Sequence, residues 1–158
     1  MFQKDIIDQF RRVQSLRPEK TAIKVYGKGD VKLFIANLNR NQLRYEFVNA
    51  DGIALSSIGG NYSPVTIQIA SAKGRPKSSP ANVDLYDTGA FSRSIKVSSV
   101  AADGITIDAN TIKDGTDLEQ EWGRKILGLT AESLEDLMQK VLPIWQELTL
   151  KYVINGSF

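Results

Sequence analysis

The segment at about residues 91–110 constrains the fold more than any other part of the sequence. Apolar and polar residues alternate over 91–97 and again over 105–109, with Asp103-Gly104 shortly before the second run. An alternation of period two is typical of a half-buried strand. Asp-Gly between two such runs is the strongest short-range hairpin signal. The sequence therefore predicts an antiparallel β-hairpin over residues 91–110.

A bend is predicted immediately before this hairpin, at Asp87-Thr88-Gly89. An aspartate side chain can accept a hydrogen bond from its own backbone in a turn, and glycine adopts a positive φ without steric cost. We expect Thr88 and Gly89 to fix the bend. Phe91 and Ile95, on one face of the strand that follows, are expected to anchor the sheet in the core.

Residues 2–16 are predicted to form an amphipathic helix. Apolar residues recur there at helical spacing, at Phe2, Ile6, Phe10 and Val13. We expect this stripe to lie in the core. The alternative is that the helix docks on a neighbouring subunit.

The strongest helical pattern covers residues 133–152. Thr130 or Ser133 is placed to cap this helix, and Pro143 predicts a kink or a break within it. Its apolar stripe comprises Leu134, Leu137, Met138, Val141, Trp145, Leu148 and Tyr152. The predicted fold is therefore α+β, with an antiparallel sheet and its central hairpin packed against an N-terminal helix and a long C-terminal helix. We expect one domain over residues 1–158.

Several shorter segments are less constrained. Residues 18–26 fit either a strand or a helix opened by a proline. A helix capped by Asp30 follows, and residues 43–48 fit either a strand or its continuation. Residues 65–70 and 83–85 alternate as strands do.

A flexible basic loop is predicted at about residues 71–82. The sequence SAKGRPKSSPAN is rich in glycine, proline and serine, and it carries Lys73, Arg75 and Lys77. One interpretation is a solvated surface loop. The other is an arm whose three cations reach a neighbouring subunit or a phosphate backbone.

The composition argues against an enzyme. The chain has no histidine and no cysteine, which removes the commonest general base, the commonest transition-metal ligand and the thiolate nucleophile. A carboxylate pair at Asp84 and Asp87 is the remaining acid–base alternative. We predict no catalytic residue, no cofactor and no metal site, and the lack of a long apolar run predicts no membrane partner.

The formal net charge of +2 conceals an asymmetry along the chain. Residues 1–82 carry 13 Lys or Arg and 6 Asp or Glu, whereas residues 83–158 carry 7 and 12. One interpretation is chance and solvated faces. A second is an assembly protein whose basic side meets the acidic side of an identical neighbour, a head-to-tail contact that forms a ring when the rotation closes.

Two short motifs resemble those of phage tail-completion and neck proteins. The run DTGAF at 87–91, followed by Ser94-Ile95, resembles the signature of their first core strand, and LEQEWG at 118–123 resembles their second landmark. The resemblance covers about residues 43–150, and it also allows a short helix at 65–70. The structural motif residues it singles out are Asp87, Thr88, Gly89, Phe91, Ser94 and Ile95.

The resemblance implies a structural role in a tailed-phage virion. Such a tail-completion, neck or head–tail connector subunit assembles into a homo-oligomeric ring that joins head and tail. Its expected partners are copies of itself, other virion proteins such as portal, adaptor or tail subunits, and DNA in the channel. Its expected location is the virion, after synthesis in the host bacterial cytoplasm. The alternative function is a nucleic-acid-binding module that uses the basic N-terminal half.

Overall fold

The computed structural model describes residues 2–113 and 115–157, with side chains described from Ile6 onwards. The α+β class is confirmed, as are the hairpin and the two terminal helices. The helices are α1 (Phe2–Gln14), α2 (Pro18–Tyr26), α3 (Gly29–Asn41), α4 (Ser56–Gly59), α5 (Pro64–Ala72), α6 (Ala90–Ser94), α7 (Leu118–Trp122) and α8 (Ala131–Asn155). The strands are β1 (Lys96–Ala101), β2 (Gly104–Asp108), β3 (Ile112–Lys113) and β4 (Thr116–Asp117).

The hairpin forms, but it begins later than predicted. β1 and β2 pair antiparallel from Lys96↔Asp108 to Ala101↔Gly104, with an irregularity after Val97. The prediction that residues 91–95 belong to the first strand is wrong, because most of them form α6. Gly89 starts this helical turn in the left-handed region, at φ 77°. Phe91 in this turn and Ile95, the extended residue that ends it, both place their side chains in the core.

The two core clusters meet at α3. One contains Val31 and Ile35 of α3 with the apolar face of the hairpin and the first half of α8. The other contains Ala36 on the opposite side of α3, and its buried members are Ala36, Leu43, Leu55, Val83, Phe91, Ile95, Leu118, Trp122 and Ile126. Because α3 contributes to both clusters, it is the central element of the fold.

A pair of buried amide side chains fastens α3 to the segment before α8. Asn39 donates to the carbonyls of Ile126 and Gly128, at 3.0 and 2.9 Å. Gln42 accepts from the backbone N–H of Thr130 at 2.9 Å. A buried carbonyl needs a hydrogen-bond donor, so these two polar side chains have a structural reason to lie in the interior.

The alternation at residues 43–48 and 65–70 gives helical structure rather than strands. A π-helical turn, Gln42–Glu46, continues α3 and ends at Phe47 in the left-handed region. At 65–70 the strand pattern is overridden by α5, whose start is fixed by a Ser63 cap and by Pro64 in the first turn. Residues 83–85 form no strand, and Leu85 has a positive φ of 49°.

The predicted helix starts are partly confirmed. Thr130 caps α8 by accepting from the N–H of Ser133 at 3.2 Å, and Asp117 caps α7 in the same way. Asp30 does not cap α3. It lies within the first turn, where a negative charge interacts favourably with the helix dipole, and Lys28 occupies the N-cap position. Helix α8 continues through Pro143 without a break.

Helix α1 is present as predicted, but its apolar stripe does not lie in the core. Ile6, Ile7, Phe10 and Val13 are exposed, and Phe10 is the most exposed of them at 66%. The predicted side chain of Phe2 lies outside the described part of the chain. The physical reason for the exposure is the position of α1, which contacts the far end of α8 rather than the two core clusters.

Candidate functional site

The structure brings the predicted basic loop onto the predicted bend. Lys77, whose side chain is 7% exposed, lies 2.8 Å from the carboxylate of Asp84 and also donates to the carbonyl of Tyr86. Arg75 lies 2.9 Å from Asp87. The loop at 71–82 is thus fastened to residues 84–87 by intrachain ion pairs.

Asp84 is the centre of the first of these contacts. Its Oδ1 accepts from the hydroxyl of Tyr62 at 2.7 Å and from the backbone N–H of Tyr86 at 2.9 Å, in addition to Lys77. Burial, followed by the hydrogen bond to the Asp84 carboxylate, raises the pKa of Tyr62 above its ordinary value. Tyr62 therefore stays protonated and acts as a fixed donor to Asp84.

Asp87 is the centre of the second contact between the loop and the bend. Its two carboxylate oxygens lie 2.9 Å from Arg75 and 3.2 Å from Lys113. Partial burial raises the pKa of Asp87, but the hydrogen bond from Lys113 and the charges of Lys113, Arg75 and Lys73 outweigh it and hold the pKa below its ordinary value. The acid–base pair considered for Asp84 and Asp87 is not assembled as such, because each carboxylate is paired with its own cations.

The predicted motif residues form one corner of the fold. Gly89 has φ 77°, as expected for the bend, and Thr88 accepts weakly from the N–H of Ala90 at 3.3 Å. Ser94 donates to the carbonyl of Phe91 at 2.7 Å and accepts from the N–H of Asn110 at 2.9 Å, which joins α6 to the end of the hairpin. We call residues 84–95 the Gly89 corner.

Arg40 is a structural residue of this corner that sequence reasoning missed. Its Nε donates to the carbonyl of Ser92 at 2.8 Å and its Nη2 donates to the carbonyl of Ile95 at 2.7 Å. No local pattern marks an arginine whose partners lie more than 50 residues away.

A cleft of about 360 Å³ opens beside the corner. Its wall combines the aromatic side chains of Tyr62 and Trp122 with the charged side chains of Lys73, Lys113 and Glu121. Over the other side of Tyr86, the guanidinium of Arg44 lies 4.2 Å from the ring centroid. These charged and aromatic groups suit contact with a charged surface. Across residues 2–113 and 115–157, no cluster of three or more acidic side chains is arranged to hold a metal.

The second candidate surface is the apolar face of α1, formed by Ile6, Ile7, Phe10 and Val13. Helix α1 is joined to α8 near its own C-terminal end: the Nη1 of Arg12 donates to the carbonyl of Val153 at 3.1 Å, and Ser15 lies 3.0 Å from the hydroxyl of Tyr152. The preceding turns leave large apolar side chains in water. Exposed apolar groups that share one face of a helix mark an interaction site.

The chain matched no family model, no curated protein and no solved structure. None of the helices in the described part of the chain is long and apolar enough to cross a membrane. The two surfaces defined above, the Gly89 corner with its basic loop and the apolar face of α1, are therefore the basis for a functional assignment.

Proposed function

We propose that the chain is a structural subunit of a tailed-phage virion, a tail-completion, neck or head–tail connector protein that assembles into a ring joining head and tail. The observation that carries the proposal is the exposed apolar face of α1. A free subunit leaves these side chains in water, whereas an assembled one removes them from it, at a gain of about 25 cal/mol per Å² of apolar area. Such a face suits a protein whose work is to bind other proteins.

The motif resemblance is the reason for proposing a phage assembly in particular. Its residues Gly89, Phe91, Ser94 and Ile95 are structural members of one corner, although most of them form a helical turn here and not the first core strand of that signature. The uneven charge distribution supports a contact between unlike sides of identical subunits, which generates rings. The proposed partners are therefore copies of this chain, portal, adaptor or tail subunits, and the DNA that passes through the ring.

The test has two parts, mass in solution and location in the particle. Light scattering over a range of concentration and salt is expected to give a discrete oligomer that weakens as salt rises, because the contact includes charge pairs. An antibody raised against the chain is expected to label the junction of head and tail in purified virions. Virions that lack the chain would contradict the proposal.

A nucleic-acid-binding module is the second candidate. It is favoured by the position of Arg44 over the Tyr86 ring beside Arg75, since stacked arginines and tyrosines bind nucleic-acid strands. It is weakened by the ion pairs that neutralise Arg75 and Lys77. Titration of single- and double-stranded DNA with the Arg44→Ala variant tests it. Unchanged affinity in that variant would remove the support that this surface gives.

A further inference from the structure

A groove of about 460 Å³ lies between the hairpin and the first turns of α8. Its floor and walls are apolar, from Ile105 and Ile107 of β2 to Leu134 and Met138 of α8. Met138 is 54% exposed and Leu134 is similarly open, so the groove is uncovered in the isolated chain. We call this the α8–hairpin groove.

We propose that the apolar face of α1 docks into the α8–hairpin groove of a second copy of the chain. The proposal rests on the proposed function, because it names the contact between subunits of the assembly. An amphipathic helix that lays its apolar side chains into an apolar groove is a recurrent mode of protein recognition. Here the helix and the groove are supplied by the same sequence.

The geometry excludes α1 of the same chain as the occupant. Contacts run in opposite order along the two helices, Ser15 with Tyr152 and Arg12 with Val153 and Ile154, so the first turns of α1 lie towards the C-terminal end of α8. The groove lies at Leu134 and Met138, about 20–30 Å back along α8 at a rise of about 1.5 Å per residue. The occupant must therefore come from another molecule.

Charge complementarity favours an identical chain as that molecule. Arg11 lies beside the apolar face of α1, with its side chain 75% exposed and 3.4 Å from the carboxylate of Asp8 on the same helix. Asp103 lines the groove at the hairpin turn, and Glu135 follows Leu134 on an exposed part of α8. On docking, Arg11 exchanges its exposed ion pair with Asp8, which is worth little, for the acidic groups at the mouth of the groove, and this contact fixes the orientation.

The resulting contact is heterologous, because the helix and the groove are different surfaces of one chain. Each subunit can then bind one neighbour through its helix and another through its groove. Such a contact produces a closed ring when the rotation between neighbours closes, and a filament when it does not.

Cross-linking between separately prepared variants tests the contact directly. The natural chain has no cysteine, so Phe10→Cys and Met138→Cys each introduce a unique thiol. One variant carries an affinity tag, so that a product joining the two kinds of chain is identified by mass. A short bismaleimide linker is expected to join them in high yield.

Leu33→Cys is the matched control for Met138→Cys, because Leu33 lies on α3 with a comparable exposure of 57% but outside the groove. It is expected to give little product with Phe10→Cys. Equal yields for the two pairs, or no product with Met138→Cys, would overturn the proposal.

Sedimentation of charge and apolar variants measures the same contact without a linker. Phe10→Asp is expected to weaken self-association by about tenfold or more, and Leu33→Asp to leave it unchanged. Arg11→Asp is expected to weaken it about three- to fivefold, and combination with Asp103→Arg to restore it. Loss without rescue in the double variant would count against this pairing.

Different results would contradict the α1–groove contact and the proposed function. A chain that forms oligomers unaffected by Phe10→Asp overturns the α1–groove contact but leaves the assembly role intact. A chain that is monomeric at all concentrations also overturns the contact, whereas the assembly role is then decided by antibody labelling of virions. A chain that uses the contact but is absent from virions overturns the proposed function alone.

Discussion

Two apolar i, i+4 pairs of this molecule have the same spacing in sequence and opposite degrees of burial. In α1 the i, i+4 pair is Ile6 and Phe10, and Phe10 is 66% exposed. In the Gly89 corner the pair is Phe91 and Ile95, and Phe91 is 6% exposed. The comparison shows that apolar periodicity identifies a helix face without identifying what covers it.

The difference lies in how each helix is attached. Helix α6 is held at both ends: the left-handed Gly89 turns the chain into the core before it, and Arg40 binds the carbonyl of Ser92 in its last turn and that of Ile95 just after it. Helix α1 is joined to α8 near one end through Arg12 and Ser15. The apolar side chains of its remaining turns stay in water unless another molecule covers them.

The most direct way to break this comparison is to truncate both phenylalanines. Phe91→Ala is expected to destabilise the fold by about 3–5 kcal/mol, because it removes a buried aromatic ring and leaves a cavity. Phe10→Ala is expected to change the stability of the monomer by no more than about 0.5 kcal/mol. Urea unfolding at low protein concentration measures both. Similar losses in the two variants would mean that α1 belongs to the core.

The attachment of α3 to the segment before α8 gives the next largest effect. Asn39→Ala leaves the buried carbonyl of Ile126 without its side-chain donor and leaves that of Gly128 with only the longer hydrogen bond from Gln42, at 3.3 Å, and we expect a loss of about 2–3 kcal/mol. Asn41→Ala, at an exposed position of the same helix, is the control, with a change near zero. A melting temperature for Asn39→Ala equal to that of the control would show that these hydrogen bonds contribute nothing net.

Substitution at the Gly89 bend is expected to give the next largest loss of stability. Gly89→Val places a branched side chain at φ 77°, where its Cβ would lie 2.8 Å from Arg93 and 2.9 Å from the hydroxyl of Tyr86. We expect a loss of about 1–3 kcal/mol. Gly104→Val is the control, because a Cβ at Gly104 meets nothing within 4 Å and its φ is not left-handed. An unchanged melting temperature for Gly89→Val would contradict the role of the bend.

Much of the fold follows from local patterns, and its departures have identifiable causes. The hairpin turn, the two terminal helices and the Gly89 bend were all predicted from short-range signals. The alternation at 65–70 failed because a Ser63 cap and Pro64 open a helix there, and these local signals outweigh period two. The alternation at 91–95 failed because Gly89 starts a helical turn.

The candidate site was less predictable, because its contacts are long-range. The signal for Asn39 and Gln42 was present: both continue the stripe of Val31 and Ile35 along α3, so polar residues occupied a core face. Their partners at 126–130 lie far away in sequence, and no spacing rule connects them. For α1 the stripe was recognised, but burial depends on neighbours that the stripe does not encode.

The smallest expected change in stability tests whether ion pairs fasten the basic loop at 71–82 or leave it as a free arm. The pKa of Asp87 is held below its ordinary value of 3.8, so the carboxylate stabilises the fold above about pH 4, and this contribution is lost as the pH falls through the folded-state pKa. Asp87→Asn is therefore expected to reduce stability at neutral pH and to match the unmodified chain once the pH lies below the folded-state pKa. The difference should stay below about 1 kcal/mol, because the carboxylate is about one-third exposed and screened by solvent.

Thermal melts of both chains at each pH, repeated in high salt, measure this difference in stability. A difference that persists at low pH would mean that the Asp87 side chain acts through packing rather than through its ion pairs with Arg75 and Lys113, and the loop would then be held by Lys77 and Asp84.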